Sequence, residues 1–372
     1  MDETSSEKQE KRGFKFMNGR LKEVYVKSSD PFERGCQHGS QVKEEIEKVC
    51  QGYRKSFERK GYTWEEAKQM AMEYVPYLEE HMPELMEEAK GIAEGAGVEL
   101  AVVMVLNTRY ELLKFKKGVD NFEHNECTCF TVLREATQNH SVIGGQNWDN
   151  SPFIGENLYV LHIDEENGTK IVGLSEPAQL IRNGMNSYGL SLNCSTLLST
   201  KDIRGVAVPT NFMRRRILQA KGMEEVKKLM VEFKPCVSIN YVVASSENQA
   251  LVFETTPVEN FERYPSRGIL TQGNDLAAAP DIDRFLPADR DHARHFRGQR
   301  LEYLLQKKQG EITEDYIKEC LKDHHGHPAS ICNHAGDQSL QTIASMLFCV
   351  DEGYAWIAWG NPCETSYEQY EL

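Results

Sequence analysis

The chain has 372 residues, 40% of them apolar and 9% aromatic, which is enough to bury a sizeable core. Its 57 acids against 43 bases give a formal net charge of -14, and that argues against a nucleic-acid partner, whose footprint is basic. No apolar run reaches the about 18 residues of a membrane-spanning helix, and the polar start MDETSSEKQEKRG lacks the apolar segment of a secretory signal. Ten cysteines are scattered without a repeating frame, as reduced intracellular thiols would be, and the ending YEL is not a peroxisomal tripeptide. The expected compartment is therefore cytoplasmic.

Residues 1–13 offer almost nothing to bury and read as a disordered tail ahead of a single domain over 14–372. EVYV is a short strand. In SDPFERGCQHG, Asp30 is a helix N-cap with Pro31 at the first helical position, and Ile46, Val49, Cys50 and Tyr53 continue that helix at helical spacing. TWEE is a capping box of Thr63 with Glu66, opening a helix that Pro76 or Pro83 is expected to kink or end. A helical stretch from Glu99 to about Phe115 carries VLNTR. The first third is mostly helical.

At Cys127 the pattern changes. CTCFTVL, SVIGGQNW, NLYVLHI, TKIVGLS and YGLSLNCS read as strands, with Asn167-Gly168 as a hairpin turn. A helical segment spans about Thr210 to Phe233. VSINYVVAS, ALVFETT and GILTQGN follow as strands, then helices near 290–307 and 313–322. SMLFCV and YAWIAWG close the chain as a hairpin across Asp351–Gly353. Strand blocks separated by helix pairs predict an α+β fold of two layered sheets with helices outside.

Three stretches carry chemistry. HNECTCF places Cys127 and Cys129 two apart at the start of a strand, where they read as packed thiols, a nucleophile with its packed neighbour, or metal ligands. The metal reading pairs them with HHGH at 324–327 or with Cys332 and His334, yet the Cys-x2–4-Cys spacing and second matched pair of structural zinc sites are absent. GGQNWDN at 144–150 is built of poor strand formers and reads as a glycine bulge with an Asn/Asp turn, or as a segment kept for function. HHGHPASICNHAG at 324–336 reads as a solvated loop capping a helix, or as part of a site.

SDPFERGCQHG, VLNTR, ECTCF, GGQNWDN and HPASICNHAG together, in this order and spacing, resemble the C45 peptidase family of acyl-coenzyme A:6-aminopenicillanic acid acyltransferases and related autoproteolytic amide hydrolases. The resemblance covers about residues 22–361. It implies a four-layer αββα sandwich of the N-terminal nucleophile hydrolase type, made as an inactive precursor. It also implies cleavage at Glu126–Cys127 into a helical small subunit, 14–126, and a strand-rich large one, 127–372. The chemistry is coherent by itself. A thiol needs a base, and the α-amino group released on the same residue, with a reference pKa of about 7.7–8.0, is one.

Carried over by position, Cys127 is the nucleophile, Asp149 the acid that orients or balances the new amine, and Asn274 the amide that binds that amine or a developing oxyanion. Asn193 is a further oxyanion candidate. Gln146 stands where related bile-salt-hydrolase-like enzymes often have Arg, in agreement with the acyltransferase branch. Two positions depart from the family. Glu126 replaces the Gly before the nucleophile, which eases the backbone turn of self-cleavage. Asn333 replaces an Arg and cannot supply its charge, which His334 or Arg182 could restore. Asn333, His334 and Gln146 are the expected substrate-binding residues, for a small N-acyl amide with an acyl-coenzyme A as a possible donor. No metal, other cofactor, nucleic acid or membrane is expected. The competing readings are an uncleaved binding protein of the same fold and a Cys/His zinc protein.

Overall fold

A computed structural model describes residues 19–115, 127–284, 292–327, 330–334 and 340–372. The expected tail at 1–13 lies outside them. After strand β1 (Glu23–Lys27), the Asp30 carboxylate accepts from the Phe32 N–H and starts helix α1 (Pro31–Gln41), as expected. The apolar series from Ile46 belongs to a separate helix, α2 (Lys43–Arg59), because Val42 leaves helical geometry at φ -123° and ψ 22°. The Thr63–Glu66 box forms in both directions and opens α3 (Trp64–Met72). Pro76 and Pro83 sit in the first turns of α4 (Val75–His81) and α5 (Pro83–Ala96), starting helices where a missing N–H costs nothing instead of ending them. Gly97, left-handed at φ 68°, closes α5 before α6 (Leu100–Leu113).

The strand-rich part begins with β2 (Cys127–Val132) and β3 (Ile143–Asn150). A short α7 (Pro152–Gly155) leads to β4 (Tyr159–Asp164), β5 (Lys170–Ser175), β6 (Asn183–Asn186) and β7 (Leu190–Thr196). The helical segment expected over 210–233 is split by Gly222 into α8 (Thr210–Ile217) and α9 (Met223–Glu232). β8 (Ile239–Ser245), β9 (Gln249–Thr255), β10 (Asn260–Arg263) and β11 (Ile269–Gln272) precede α10 (His292–Gln306) and α11 (Glu314–Leu321). β12 (Gln341–Cys349), β13 (Tyr354–Trp359) and β14 (Tyr367–Glu371) end the chain.

These strands form an eight-stranded sheet, β1-β4-β5-β6-β7-β8-β9-β10, and a six-stranded sheet, β11-β2-β3-β12-β13-β14. Among the described strands, pairing is antiparallel except between β1 and β4. β2 and β3 face β7 and β8 across the two sheets. The outer face of the six-stranded sheet offers Phe130, Ile143 and Leu347 to Leu301 and Leu305 of α10 and to Ile317 and Leu321 of α11. The N-terminal helices with α8 and α9 cover the other sheet through one large apolar core. The result is the expected four-layer αββα sandwich, each sheet burying one face on its partner and one on helices. Among the described residues no helix is long and apolar enough to cross a membrane.

GGQNWDN is neither a bulge nor a turn. It is the core of β3, buried from end to end, and the irregularity lies on its partner, where the register slips between Thr342 and Ala344.

Candidate active site

Cys127 opens β2, pairs with Trp148 of β3, and is 1% exposed. Directly opposed strand residues share a face, so Cys127, Cys129, Gln146 and Trp148 all look toward the other sheet, while Asp149 looks toward α10. Burial pushes the Cys127 thiol up to about 11, against the opposing pull of the Arg182 guanidinium. Cys129 is also buried and raised, in keeping with its reading as the packed neighbour. No histidine is hydrogen-bonded to Cys127 among the described residues. Glu126, the other side of the expected scissile bond, lies outside the described residues.

What Cys127 does have is a partner for its nitrogen. Its backbone N–H donates to Asn274 Oδ1 at 2.7 Å, and the same oxygen accepts from Arg297 Nη2 at 3.0 Å. Asn274 Nδ2 donates to the Thr196 carbonyl at 3.0 Å. Two donors on the oxygen and an acceptor on the nitrogen leave one orientation of this amide. Asn274 therefore turns its acceptor toward Cys127, and its N–H group is engaged elsewhere. Ser195 Oγ, donating to the Gly273 carbonyl at 2.6 Å, holds the turn that carries it. A Cβ on Gly298 would stand 3.1 Å from Gly273 N, so this glycine lets α10 come close enough to deliver Arg297.

Behind Asn274 is a buried ion pair. Arg297 Nη1 lies 3.6 Å from Asp149 Oδ2, with both side chains fully inaccessible. Thr342 Oγ1 donates to Asp149 Oδ1 at 2.7 Å, and Asn333 Nδ2 lies 3.4 Å from Asp149 Oδ2. The cation beside Asp149, in the group that Asn333 joins as a neutral amide, is Arg297. Nothing local points to it: HARHFRGQR is one basic stretch in which no spacing marks Arg297. Neither residue suggested as a substitute makes this contact. Arg182 lies 4.4 Å over the Trp148 ring, and burial next to Arg214 lowers it to about 10. His334 joins a separate group with His324, Cys332 and Cys363.

Two further predicted residues belong to the space between the sheets. Gln146 Oε1 accepts from Asn183 Nδ2 at 2.8 Å and from the Cys194 N–H at 3.1 Å. Asn193 Oδ1 is 3.5 Å from Asn183 Nδ2, while Asn193 Nδ2 sits 3.5 Å from where Gly144 would carry a Cβ. Gly144 is four residues along β3 from Trp148, about 13 Å at strand rise. Asn193 is not brought to Cys127.

VLNTR acts one step back. Asn107 Nδ2 donates to the Ala178 carbonyl, Asn107 Oδ1 accepts from the Leu180 N–H, and Arg109 pairs with Glu176. These contacts fix the 176–180 segment that leads into Arg182. A separate cavity of about 250 Å³ lies among α3, α6 and residues 203–205, and touches none of the predicted site residues.

The family model described as acyl-coenzyme A:6-aminopenicillanic acid acyl-transferase matches residues 136–364, more than half of the chain. The 40 kDa form of the acyl-coenzyme A:6-aminopenicillanic-acid-acyltransferase of Emericella nidulans is 26% identical over 312 residues, covering 81% of this chain and 82% of that protein. Among solved structures, a mutant of the conjugated bile acid hydrolase from Clostridium perfringens is 13% identical, with a TM-score of 0.42 over 66% of this chain and 97% of that one. Penicillin V acylase from Agrobacterium tumefaciens is also 13% identical, with a TM-score of 0.42 over 63% of this chain and 83% of that one.

Proposed function

This chain belongs to the acyl-coenzyme A:6-aminopenicillanic acid acyl-transferase family, and on that premise we propose that it is a self-processing cysteine amide hydrolase or acyltransferase acting on a small N-acyl amide. In the first step the Cys127 thiol attacks the Glu126 carbonyl and the acyl group moves from nitrogen to sulfur. Water then hydrolyses the thioester, leaving a carboxylate on Glu126 and a free α-amine on Cys127. The fragments are 1–126 and 127–372. In turnover the α-amine takes the thiol proton, the sulfur attacks the substrate acyl carbon, and the amine product leaves with that proton. Water or a second amine resolves the thioester.

The observation that carries this reading is the environment of the Cys127 nitrogen. The Cys127 N–H is held by Asn274 Oδ1, and among the described residues no imidazole is hydrogen-bonded to Cys127. A group that accepts one N–H of an amine leaves the lone pair free to act as base. The Arg297 charge on the same oxygen favours the uncharged amine, and Asp149 balances that charge in the dry interior.

N-terminal sequencing and mass spectrometry of the purified protein test this. Fragments of about one third and two thirds of the chain, the larger beginning at Cys127, with an intact chain for Cys127→Ala, are expected. Cleaved protein should then hydrolyse, or transfer from, a member of a panel of N-acyl amides and acyl-coenzyme A donors. An intact wild-type chain without amidase or transferase activity would refute the proposal.

A further inference from the structure

Outside the Cys127 region, four side chains from three segments meet at one point. His324 follows α11, Cys332 and His334 lie in the next segment, and Cys363 lies between β13 and β14. One ligand atom from each lies within 4.8 Å of the other three. The separations are 3.0 Å between His324 Nε2 and His334 Nε2, 3.6 Å and 3.2 Å from His334 Nε2 to the sulfurs of Cys332 and Cys363, and 3.5 Å between the two sulfurs. Zinc bonds of about 2.3 Å to sulfur and about 2.0–2.1 Å to nitrogen, placed tetrahedrally, give edges of about 3.4 Å for N–N, 3.6 Å for S–N and 3.8 Å for S–S. Four of the six edges are thus those of such a tetrahedron, slightly contracted, and the two from His324 to the sulfurs are at most 4.8 Å.

The surroundings suit ligation too. The second ring nitrogen of His334, Nδ1, is 3.6 Å from Glu364 Oε1, so a carboxylate stands behind a ligating imidazole. Asn361 Nδ2 lies 3.5 Å from Cys332 Sγ, an N–H···S contact that suits a thiolate. Cys332 is fully buried, and apolar packing alone does not call for two imidazoles and a second thiol around it. All ten cysteines, these two included, are free thiols.

We propose that His324, Cys332, His334 and Cys363 form a structural Cys2His2 site for a zinc ion. Four protein ligands close the coordination sphere and leave no open position for a catalytic water. The ion would tie the end of α11 and the segment before β12 to the β13–β14 connection. Two of its ligands flank Asn333, whose side chain leaves on the other side toward Asp149 while its carbonyl accepts from Asn361 Nδ2 at 2.7 Å and from the Thr342 N–H at 2.8 Å. Holding Cys332 and His334 therefore also holds the residue between them against the Asp149 carboxylate.

The test needs no activity assay. Full-length protein, untagged and reduced, is loaded with zinc, dialysed and analysed for metal, and cobalt(II) is substituted for zinc. One equivalent of zinc per chain, a tetrahedral cobalt spectrum with thiolate charge transfer, and a melting temperature that falls on chelation are expected. Cys363→Ser and His324→Ala, both changes near the surface, should each lose at least tenfold in zinc affinity while still folding, and His327→Ala should retain it. His327 is the useful control because its ring lies 6.4 Å from that of His334. Reduced wild-type protein that holds no zinc, or zinc binding unchanged in both ligand variants, overturns the proposal. So does a Cys332–Cys363 disulfide that persists in protein purified under reducing conditions.

Discussion

PFERGCQHG on α1 and GGQNWDN on β3 are the two most distinctive glycine-bearing stretches of the chain, and they do opposite work. On α1 the glycines build a helix seam. A Cβ on Gly35 would come 2.1 Å from the Glu88 carbonyl oxygen and one on Gly39 2.1 Å from that of Ile92, while from α5 Gly91 and Gly95 press back on Phe32 and Cys36. The Arg34 of that stretch is consumed in the same packing: it bonds Glu88, which Arg215 also bonds. On β3 the glycines make room between strands and sheets, and Asn147 ties the strand to the Leu321 and Ile331 carbonyls. Asp149 is left as the group that Arg297, Thr342 and Asn333 surround, behind the Cys127 nitrogen. A distinctive motif is thus as readily a packing device as a site. What separates the two is where the polar side chains end.

The largest expected effect follows from the site side. Arg297→Met removes the cation between Asn274 and Asp149. Turnover of an N-acyl amide is expected to fall by at least about 100-fold, the scale of losing one preorganised polar partner. Urea unfolding should show a loss of about 3–5 kcal/mol, because Asp149 stays buried without that cation. Unchanged turnover would separate Arg297 from the chemistry. On the seam side, Gly91→Ala places a carbon 2.0 Å from the Phe32 carbonyl oxygen, which is backbone and cannot rotate away. The cost in urea unfolding should be about 3 kcal/mol, the upper end of overpacking, with kcat per folded molecule unchanged.

How much of this was legible follows the same division. The layers were readable because strand blocks alternate with helical blocks, whereas Cys127 and Asp149 were singled out only through the family resemblance of the short runs that carry them. Arg297 was not readable. It reaches the site where Gly298 lets α10 close on Gly273, a tertiary fact with no local period. β6 escaped because Asn-Gly-Met-Asn has poor strand propensity and is held by its neighbours β5 and β7. The break at Val42 was hidden by an apolar spacing that runs on across it. Asn193 was rightly read as a strand residue, but which part of β3 it meets depends on how the two sheets lie across each other. His334 and Cys332 were noticed, yet Cys363 arrives from the far end of the chain and completes the group only in the fold.

Acid sharpens the comparison at a smaller scale. His38, on the seam, is buried with Nε2 2.6 Å from the Tyr159 hydroxyl, and burial lowers it to about 3. The unfolded chain takes up this proton near pH 6.5 and the native one does not until about 3. The stability that neutral His38 confers is therefore complete above 6.5 and is lost as pH falls from there. Relative to His38→Gln, which removes the titration, the wild type should lose about 1.6 kcal/mol between pH 6.5 and 5 in chemical denaturation. A difference that does not change with pH would mean that His38 takes up its proton as readily in the native helix seam as in the unfolded chain.

The smallest effect tests whether the β3 glycines are as unforgiving as those of α1. A Cβ on Gly144 would meet Ser191 Oγ at 2.5 Å, and that atom is the end of a side chain, not backbone. Ser191 Oγ is buried without a hydrogen-bond partner among the described residues, so no bond to them opposes its rotation. Gly144→Ala should therefore cost about 1 kcal/mol or less by urea unfolding, well below Gly91→Ala. Ser191→Ala removes the obstructing atom, so the double variant should recover most of that cost, with a coupling of at least about 0.5 kcal/mol. Additive losses, or a Gly144→Ala cost equal to that of Gly91→Ala, would mean that β3 is held against β7 by its backbone. The strand that carries Asp149 would then be as rigidly seated as the helix seam that carries no chemistry.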